Sequence, residues 1–319
     1  MRTLLPRAFL APALALTLAL AGCIALPEDA NAIQEREPAA GGSMTASETR
    51  TQKSELCTSS LGIDGQRFCA ERVVTVAGTL SGFERMDVSL ETFNGAITIR
   101  ESSGATWGFV ATLRARGSTA DAAMQALDDI AFRWSHEGRS GHFVEVEAEH
   151  EGSSDGRSVT LELRMPRDLL MRVSAVTSNG AVSLEGGRTD GLALTTSNGR
   201  ISARGEVTHM ALTTSNGKID ADVRPIGDGR WALTTSNGEI ALKVPEGPAY
   251  GYSMTGTTSN GEVDFTLRDG TEGPCPQGSQ YYTPPCNMRT FETSGFRSRD
   301  HQVSAALTTS NGEINVGPA

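Results

Sequence analysis

Five histidines, His136, His142, His150, His209 and His301, are the side chains best suited to proton transfer or metal binding near neutral pH. His142 and His150 share strand parity but stand eight residues apart, too far to hold one ion from a single strand. No His-Glu-x-x-His, Gly-x-Ser-x-Gly or phosphate-loop motif occurs. Serines beside Asn-Gly recur along the chain, so none is singled out as a nucleophile, whereas a catalytic site needs one distinct constellation. Among the acids, Asp220, Asp222 and Asp264 follow Asn-Gly pairs, and Glu239, Glu262 and Glu313 recur at one outward position. Such a stripe has the ligand type for calcium or for glycan cleavage, and equally that of a solvated edge. The expectation is a non-enzyme with no catalytic residue, metal or cofactor.

Cysteine offers a different chemistry. Arg2 and Arg7 precede an apolar run, Phe9 to Leu20, that ends in Leu20-Ala21-Gly22-Cys23. A charged start, an apolar middle and small residues make a secretory signal. The cysteine directly after the small pair resembles the lipobox of bacterial lipoproteins. That resemblance implies cleavage after residue 22 and acylation of Cys23, which anchors the chain to a membrane at roughly 0.8 kcal/mol per buried CH₂. Ile24, rather than Asp, follows the cysteine and leans toward the outer membrane by that family's sorting rule. The remaining four cysteines, Cys57, Cys69, Cys275 and Cys286, are an even number in an exported chain, which suggests two disulfides. Three connectivities exist, and the local one, Cys57–Cys69 with Cys275–Cys286, closes the shortest loops.

The elements that must position any site come from a repeat. Thr-Ser-Asn-Gly recurs with asparagines at Asn179, Asn198, Asn216, Asn237, Asn260 and Asn311, and a looser copy sits at Asn94. Successive gaps from Asn179 are 19, 18, 21, 23 and 51 residues. Before each asparagine, apolar residues alternate: Met210, Leu212 and Thr214 in one copy, Trp231, Leu233 and Thr235 in the next. After it they alternate again, as in Ile219 and Ala221 or Ile240 and Leu242. Period two on both sides means strand, corner, strand. Asn and Gly both tolerate positive φ, which suits a sharp corner. Two all-β architectures use it: a β-meander or sandwich with Asn-Gly hairpins, or a β-solenoid in which each repeat is one coil. Hairpin chemistry requires only Asn-Gly. Stacked ladders gain from an identical Thr-Thr-Ser before it, because each copy bonds to its twin. The solenoid, with coils of 18–23 residues and the asparagines turned inward, is therefore the expected fold.

The Ser-Asn-Gly repeats, the signal and the period resemble the adhesin-like β-strand-repeat domain of bacterial envelope proteins, a domain of unknown function, over roughly residues 71–319. The resemblance implies a cell-envelope repeat protein; its name implies adhesion.

Low aromatic content, 5%, with 35 glycines in 319 residues, fits a thin core with many turns. A net charge of −10 repels phosphate backbones, so nucleic acid is not an expected partner. The expected organisation is a signal peptide at 1–22, the lipidated cysteine and a flexible tether at 23–70, and the repeat domain at 71–319. Two interruptions are expected. An α+β capping insertion spans about 105–166, with a helix near 119–130 and strands after it. A disulfide loop spans about 269–300 and carries Tyr281 and Tyr282, whose rings suit contact with a sugar or a protein, or packing onto the flank. The function classes are a lipid-anchored adhesin or binding scaffold, an envelope stress sensor or structural lipoprotein, and, least favoured, a polysaccharide-acting solenoid.

Overall fold

The computed structural model describes residues 44–56, 68–79, 84–137, 142–150, 152–273 and 287–319. The chain divides into two units, Met1–Glu35, which lies outside the described residues, and Arg36–Ala319, which holds the strands described below. Cys23, Cys57, Cys275, Cys286, Tyr281 and Tyr282 also lie outside the described residues.

The fold is an all-β parallel solenoid. Each coil contributes one strand before the Asn-Gly corner and one after it. On the first sheet, β3 (Arg85–Glu91), β9 (Leu170–Thr177), the second half of β10 (Val182–Thr196), the second half of β11 (Ile201–Thr214) and β13 (Gly229–Thr235) run parallel in register. On the second sheet, β4 (Ile97–Ser102), the starts of β10 and β11, β12 (Ile219–Pro225) and β14 (Ile240–Val244) do the same. No strand pairs with its own continuation across an Asn-Gly corner among the described residues, so the hairpin alternative is excluded. At the opposite edge the chain crosses between sheets within β10 and β11. Gly186 and Gly187, at φ of 93° and 90°, and Gly205, at 142°, allow that bend.

Spatial order departs from chain order at both ends. The chain runs from β14 to β15 (Tyr250–Asn260) and β16 (Val263–Phe265), passes β17 (Gly270–Glu272) and β18 (Met288–Thr293), then forms β19 (His301–Asn311) and β20 (Ile314–Pro318). Yet β19 lies between β13 and β15, and β20 between β14 and β16. The last coil in the sequence therefore slots between two earlier ones. At the other end, β7 (His142–His150) and β8 (Arg157–Pro166) stack parallel on β3 and β4, outside the Asn94 coil that precedes them in sequence.

Antiparallel strands finish each end. The strand β18 covers β15, and β17 pairs with β18. At the far end β6 (Ile130–Glu137) covers β7, and β5 (Thr106–Gly117), β2 (Phe68–Thr79) and β1 (Met44–Leu56) extend the second sheet from β8. The helix α1 (Ala120–Asp128) starts at Thr119, whose hydroxyl accepts from the Ala122 N–H at 3.1 Å, and buries Ala123 and Leu127 in the core.

Two boundaries differ from the sequence expectation. The expected 105–166 insertion contains a true coil: β7 and β8 rejoin the parallel stack, and only β5, α1 and β6 are added. The expected tether at 23–70 contains β1 and the start of β2. An edge strand is held by backbone pairing, so its polar composition does not prevent it from forming.

The core lies between the sheets. Inward columns run along the axis: Leu90, Ala175, Leu194, Leu212, Leu233 and Leu307 on one side, and Ile97, Val182, Ile201, Ile219, Ile240, Ile314 and Val263 on the other. Trp231 is accommodated because its neighbour in the next coil is Ala305. Its Nε1–H donates to the Thr208 carbonyl at 3.0 Å.

Candidate functional site

At every Asn-Gly corner the hydrogen bonds run between coils. The N–H groups of Ser197 and Asn198 both donate to the Ser178 carbonyl, at 3.1 and 3.0 Å; those of Ser215 and Asn216 donate to Ser197, at 3.2 and 2.9 Å. One residue earlier, a buried threonine reaches the preceding glycine carbonyl. Thr196 donates to Gly180, Thr214 to Gly199, Thr235 to Gly217 and Thr309 to Gly238, at 2.9–3.0 Å. These threonines are about 2% exposed, so each hydroxyl needs its partner.

The corner glycines serve a purpose other than the one expected from the dipeptide. They are absent from the left-handed region. A Cβ on Gly199 would lie 1.7 Å from the Gly180 carbonyl oxygen, and one on Gly217 1.8 Å from that of Gly199. Glycine is required because successive turns stack backbone to backbone, and no positive φ is involved.

The asparagines form a single ladder on the exposed edge; they do not point inward. Each Nδ2 donates to the Oδ1 of the neighbouring rung: Asn179 to Asn94, Asn198 to Asn179, Asn216 to Asn198, Asn237 to Asn216, Asn311 to Asn237 and Asn260 to Asn311, at 2.5–2.8 Å. The ladder keeps spatial order, so Asn311 precedes Asn260. At its start Asn94 donates to the carbonyls of Ser154 and Arg157, at 2.9 and 3.3 Å, in the corner of the β7–β8 coil.

The two outward faces of the same coils differ. On the first sheet the exposed positions repeat: Ala211, Thr213 and Ser215, then Ala232, Thr234 and Ser236, then Ala306, Thr308 and Ser310. Beside the corner these rungs are small and uncharged; one row farther along the strands the same face carries Arg172, His209 and Arg230. On the second sheet the position after the corner runs Arg200, Lys218, Glu239, Glu313, Glu262 in spatial order. Lys218 bonds Glu239 at 3.0 Å and Asp220 at 3.2 Å, and Arg200 also pairs with Asp220. The hydrogen bond to Glu239 raises the lysine pKa most; burial opposes it, and the hydrogen bond to Asp220 and the charges of both acids add to the rise. Asp264 faces Arg289 at 3.5 Å. Asp222 is exposed on β12. Stacking thus brings the three glutamates side by side, but no three metal-ligating side chains converge on one point among the described residues.

The histidines are scattered. His136 stacks on Trp107 with centroids 5.0 Å apart, His150 meets the Phe93 edge at 4.4 Å, and His301 stacks on Tyr250 at 5.6 Å. His209 accepts the Arg230 N–H at 3.2 Å. His142 lies on β7. Cys69 lies on β2, and the other expected disulfide cysteines fall outside the described residues. Sequence reasoning expected each Thr to bond its twin in the next coil; the buried hydroxyl instead reaches the preceding coil's glycine carbonyl. The invariant Thr two residues before each asparagine, at an inward parity, was the available signal.

A parallel solenoid bonded through Thr, Ser and Asn ladders defines the class. Residues 84–273 match the family described as Toastrack DUF4097, a domain of unknown function, and the chain belongs to that family. Among solved structures, a candidate cell adhesion protein from Clostridium sporogenes matches at 11% identity, covering 77% of this chain and 99% of that one, with a TM-score of 0.42. A candidate adhesin from Bacteroides fragilis matches at 10% identity over 81% and 100%, with a TM-score of 0.23. One from Parabacteroides distasonis matches at 7% identity over 77% and 97%, with a TM-score of 0.24. No curated protein matched the chain.

Proposed function

We propose that the chain is a non-enzymatic, lipid-anchored envelope protein, held at the outer membrane through Cys23, whose solenoid serves as a binding scaffold of the adhesin type. Cys57–Cys69 and Cys275–Cys286 disulfides belong to this reading, as expected of an exported chain. The observation that carries it is the contrast between faces. Beside the corners of the same coils, one face varies through Arg, Lys and Glu while the other repeats Ala, Thr and Ser, with Arg230 only one row farther along. Folding needs the inward residues and the corner to repeat; it does not need the exposed ones to do so. A neutral array of hydroxyls at roughly the 4.8 Å strand spacing suits an uncharged, regularly repeating polymer such as a glycan. Tyr281 and Tyr282 are candidate additional contacts.

The test is co-sedimentation of the soluble domain with insoluble envelope and host polysaccharides, alongside a glycan array. Retention on at least one neutral glycan, abolished in Thr213→Glu/Thr234→Glu with unchanged melting, is the expected result. Retention that survives those changes and is lost in Tyr281→Ala/Tyr282→Ala would move the site to the loop. No retention on any glycan would overturn the glycan reading. In cells, Cys23→Ser should release the protein from carbonate-washed membranes.

A further inference from the structure

The ladder is built from Asn-Gly pairs, the dipeptide in which a backbone N–H most readily attacks the preceding side chain, because glycine offers no steric shield. The number of hydrogen bonds holding each amide differs along the ladder. Asn94 is held by three, two donated to Ser154 and Arg157 and one accepted from Asn179. Asn198, Asn216 and Asn237 each donate once and accept once. Asn260, the last rung, donates to Asn311 at 2.8 Å, and its Oδ1 accepts nothing among the described residues. Asn260 is exposed, and the next strand, β16, is three residues long and pairs only with β20 among the described residues. Short edge elements open most easily.

We propose that Asn260 is a spontaneous modification site, the rung at which the folded protein deamidates first. The Gly261 nitrogen attacks the Asn260 Cγ and loses its proton to solvent. The Cγ–Nδ2 bond breaks, and ammonia leaves. Water then opens the cyclic imide at either carbonyl, giving aspartyl or isoaspartyl at residue 260. The other rungs resist because attack requires the side-chain amide to rotate out of the ladder, which breaks two or three hydrogen bonds there and one at Asn260.

The product matters for the end coil. A carboxylate at 260 can no longer donate to Asn311, and it places a new negative charge near Glu262 and Glu313 on adjoining rungs. The isoaspartyl form adds a methylene to the main chain where Asn260 is paired with Asn311, shifting the register of β16 against β20. Deamidation therefore loosens the outermost coil and leaves the inner stack intact, an age mark on an exported protein.

The experiment incubates the soluble domain at mildly alkaline pH and 37 °C and tracks each Asn-Gly peptide by mass spectrometry, with isoaspartyl content scored by enzymatic methylation. The expected result is Asn260 reacting about five- to tenfold faster than Asn198, Asn216 and Asn237, the factor for one hydrogen bond fewer. Asn94 is expected to be slowest, and all pairs should converge when the chain is unfolded in urea. A second arm uses Asn311→Ala, which removes the donor to Asn237 and should bring Asn237 up to the rate of Asn260 in the wild type, while Asn260, losing its own bond, reacts faster still. Equal rates for Asn260 and Asn216 in the folded protein, or differences that persist in urea, would overturn the assignment. If Asn311→Ala fails to fold, the wild-type comparison with and without urea still decides.

Discussion

Replacing Gly217 by alanine separates a stacked corner from a turn that merely needs positive φ. The new Cβ would sit 1.8 Å from the Gly199 carbonyl oxygen, and that atom is backbone, unable to rotate aside. An ordinary carbon–oxygen contact needs about 3.3 Å, so the two coils must part by about 1.5 Å. Four hydrogen bonds cross that gap: Thr214 to Gly199 at 3.0 Å, Asn216 to Asn198 at 2.8 Å, and the Ser215 and Asn216 N–H groups to Ser197 at 3.2 and 2.9 Å. Such a separation takes all four out of range. At about 1 kcal/mol net each, with the exposed asparagine partly satisfied by water, the loss comes to about 3 kcal/mol. A positive-φ corner would cost about 1–2 kcal/mol for alanine and would leave neighbouring coils joined. Equilibrium urea unfolding gives the magnitude, and hydrogen exchange at Ile201, whose N–H crosses the gap to the Lys218 carbonyl, gives the location. A loss under about 1 kcal/mol with unchanged exchange would refute the stacking argument.

Asn216→Ala should cost under about 1 kcal/mol in the same assay, because the ladder amide is exposed and water replaces its partners; a loss near 3 kcal/mol would show an inward, buried amide. Leu212→Ala should cost about 2–5 kcal/mol, because it opens a cavity in a fully buried column; a change below about 1 kcal/mol would place the side chain outside the core. Burial, then the neighbouring Tyr250 and Glu246 charges, push the Tyr252 phenol well above its ordinary range, and its hydroxyl donates to the Pro245 carbonyl at 2.9 Å. The unfolded chain releases that proton first, so stability is intact below about pH 10 and falls as pH rises beyond it. Tyr252→Phe should flatten that alkaline decline, and an unchanged slope would contradict the burial.

Much of the repeat was legible from parity alone. Leu212, Thr214, Ile219 and Ala221 point inward, as alternation around Asn216 requires, and Lys218 and Asp220 face out. The local chemistry of the corner was less legible. Asn-Gly is compatible with positive φ, with an inward amide and with close stacking, and only the backbone angles, the exposure of the amides and the distance from Gly217 to Gly199 select among them. Coil order was not legible at all. Rungs bearing the same Leu-Thr-Thr-Ser-Asn-Gly bond equally well to any neighbour, so nothing in the Asn311 copy marks its place before Asn260. The β7–β8 coil was hidden for the opposite reason: its corner lacks the motif, and Ser154 and Arg157 meet the ladder through backbone carbonyls. Met44–Leu56 escaped notice because an edge strand is specified by the partner it pairs with, here β2.

The stack, the ladder and the end rung all depend on the order of the coils. Thr234 pairs with Thr308, and Thr308 with Thr257, so Thr234 and Thr257 are two rungs apart. Adjacent rungs are about 4.8 Å apart and two rungs about 9.6 Å, while a disulfide requires Cα atoms within about 7 Å. Cysteine pairs at 234/308 and at 234/257 are oxidised, and the bridges are mapped by mass spectrometry of non-reduced peptides. A bridge at 234/308 with none at 234/257 is the expected result. A bridge at 234/257 would mean that the coils keep chain order, contradicting the structure's interleaved end.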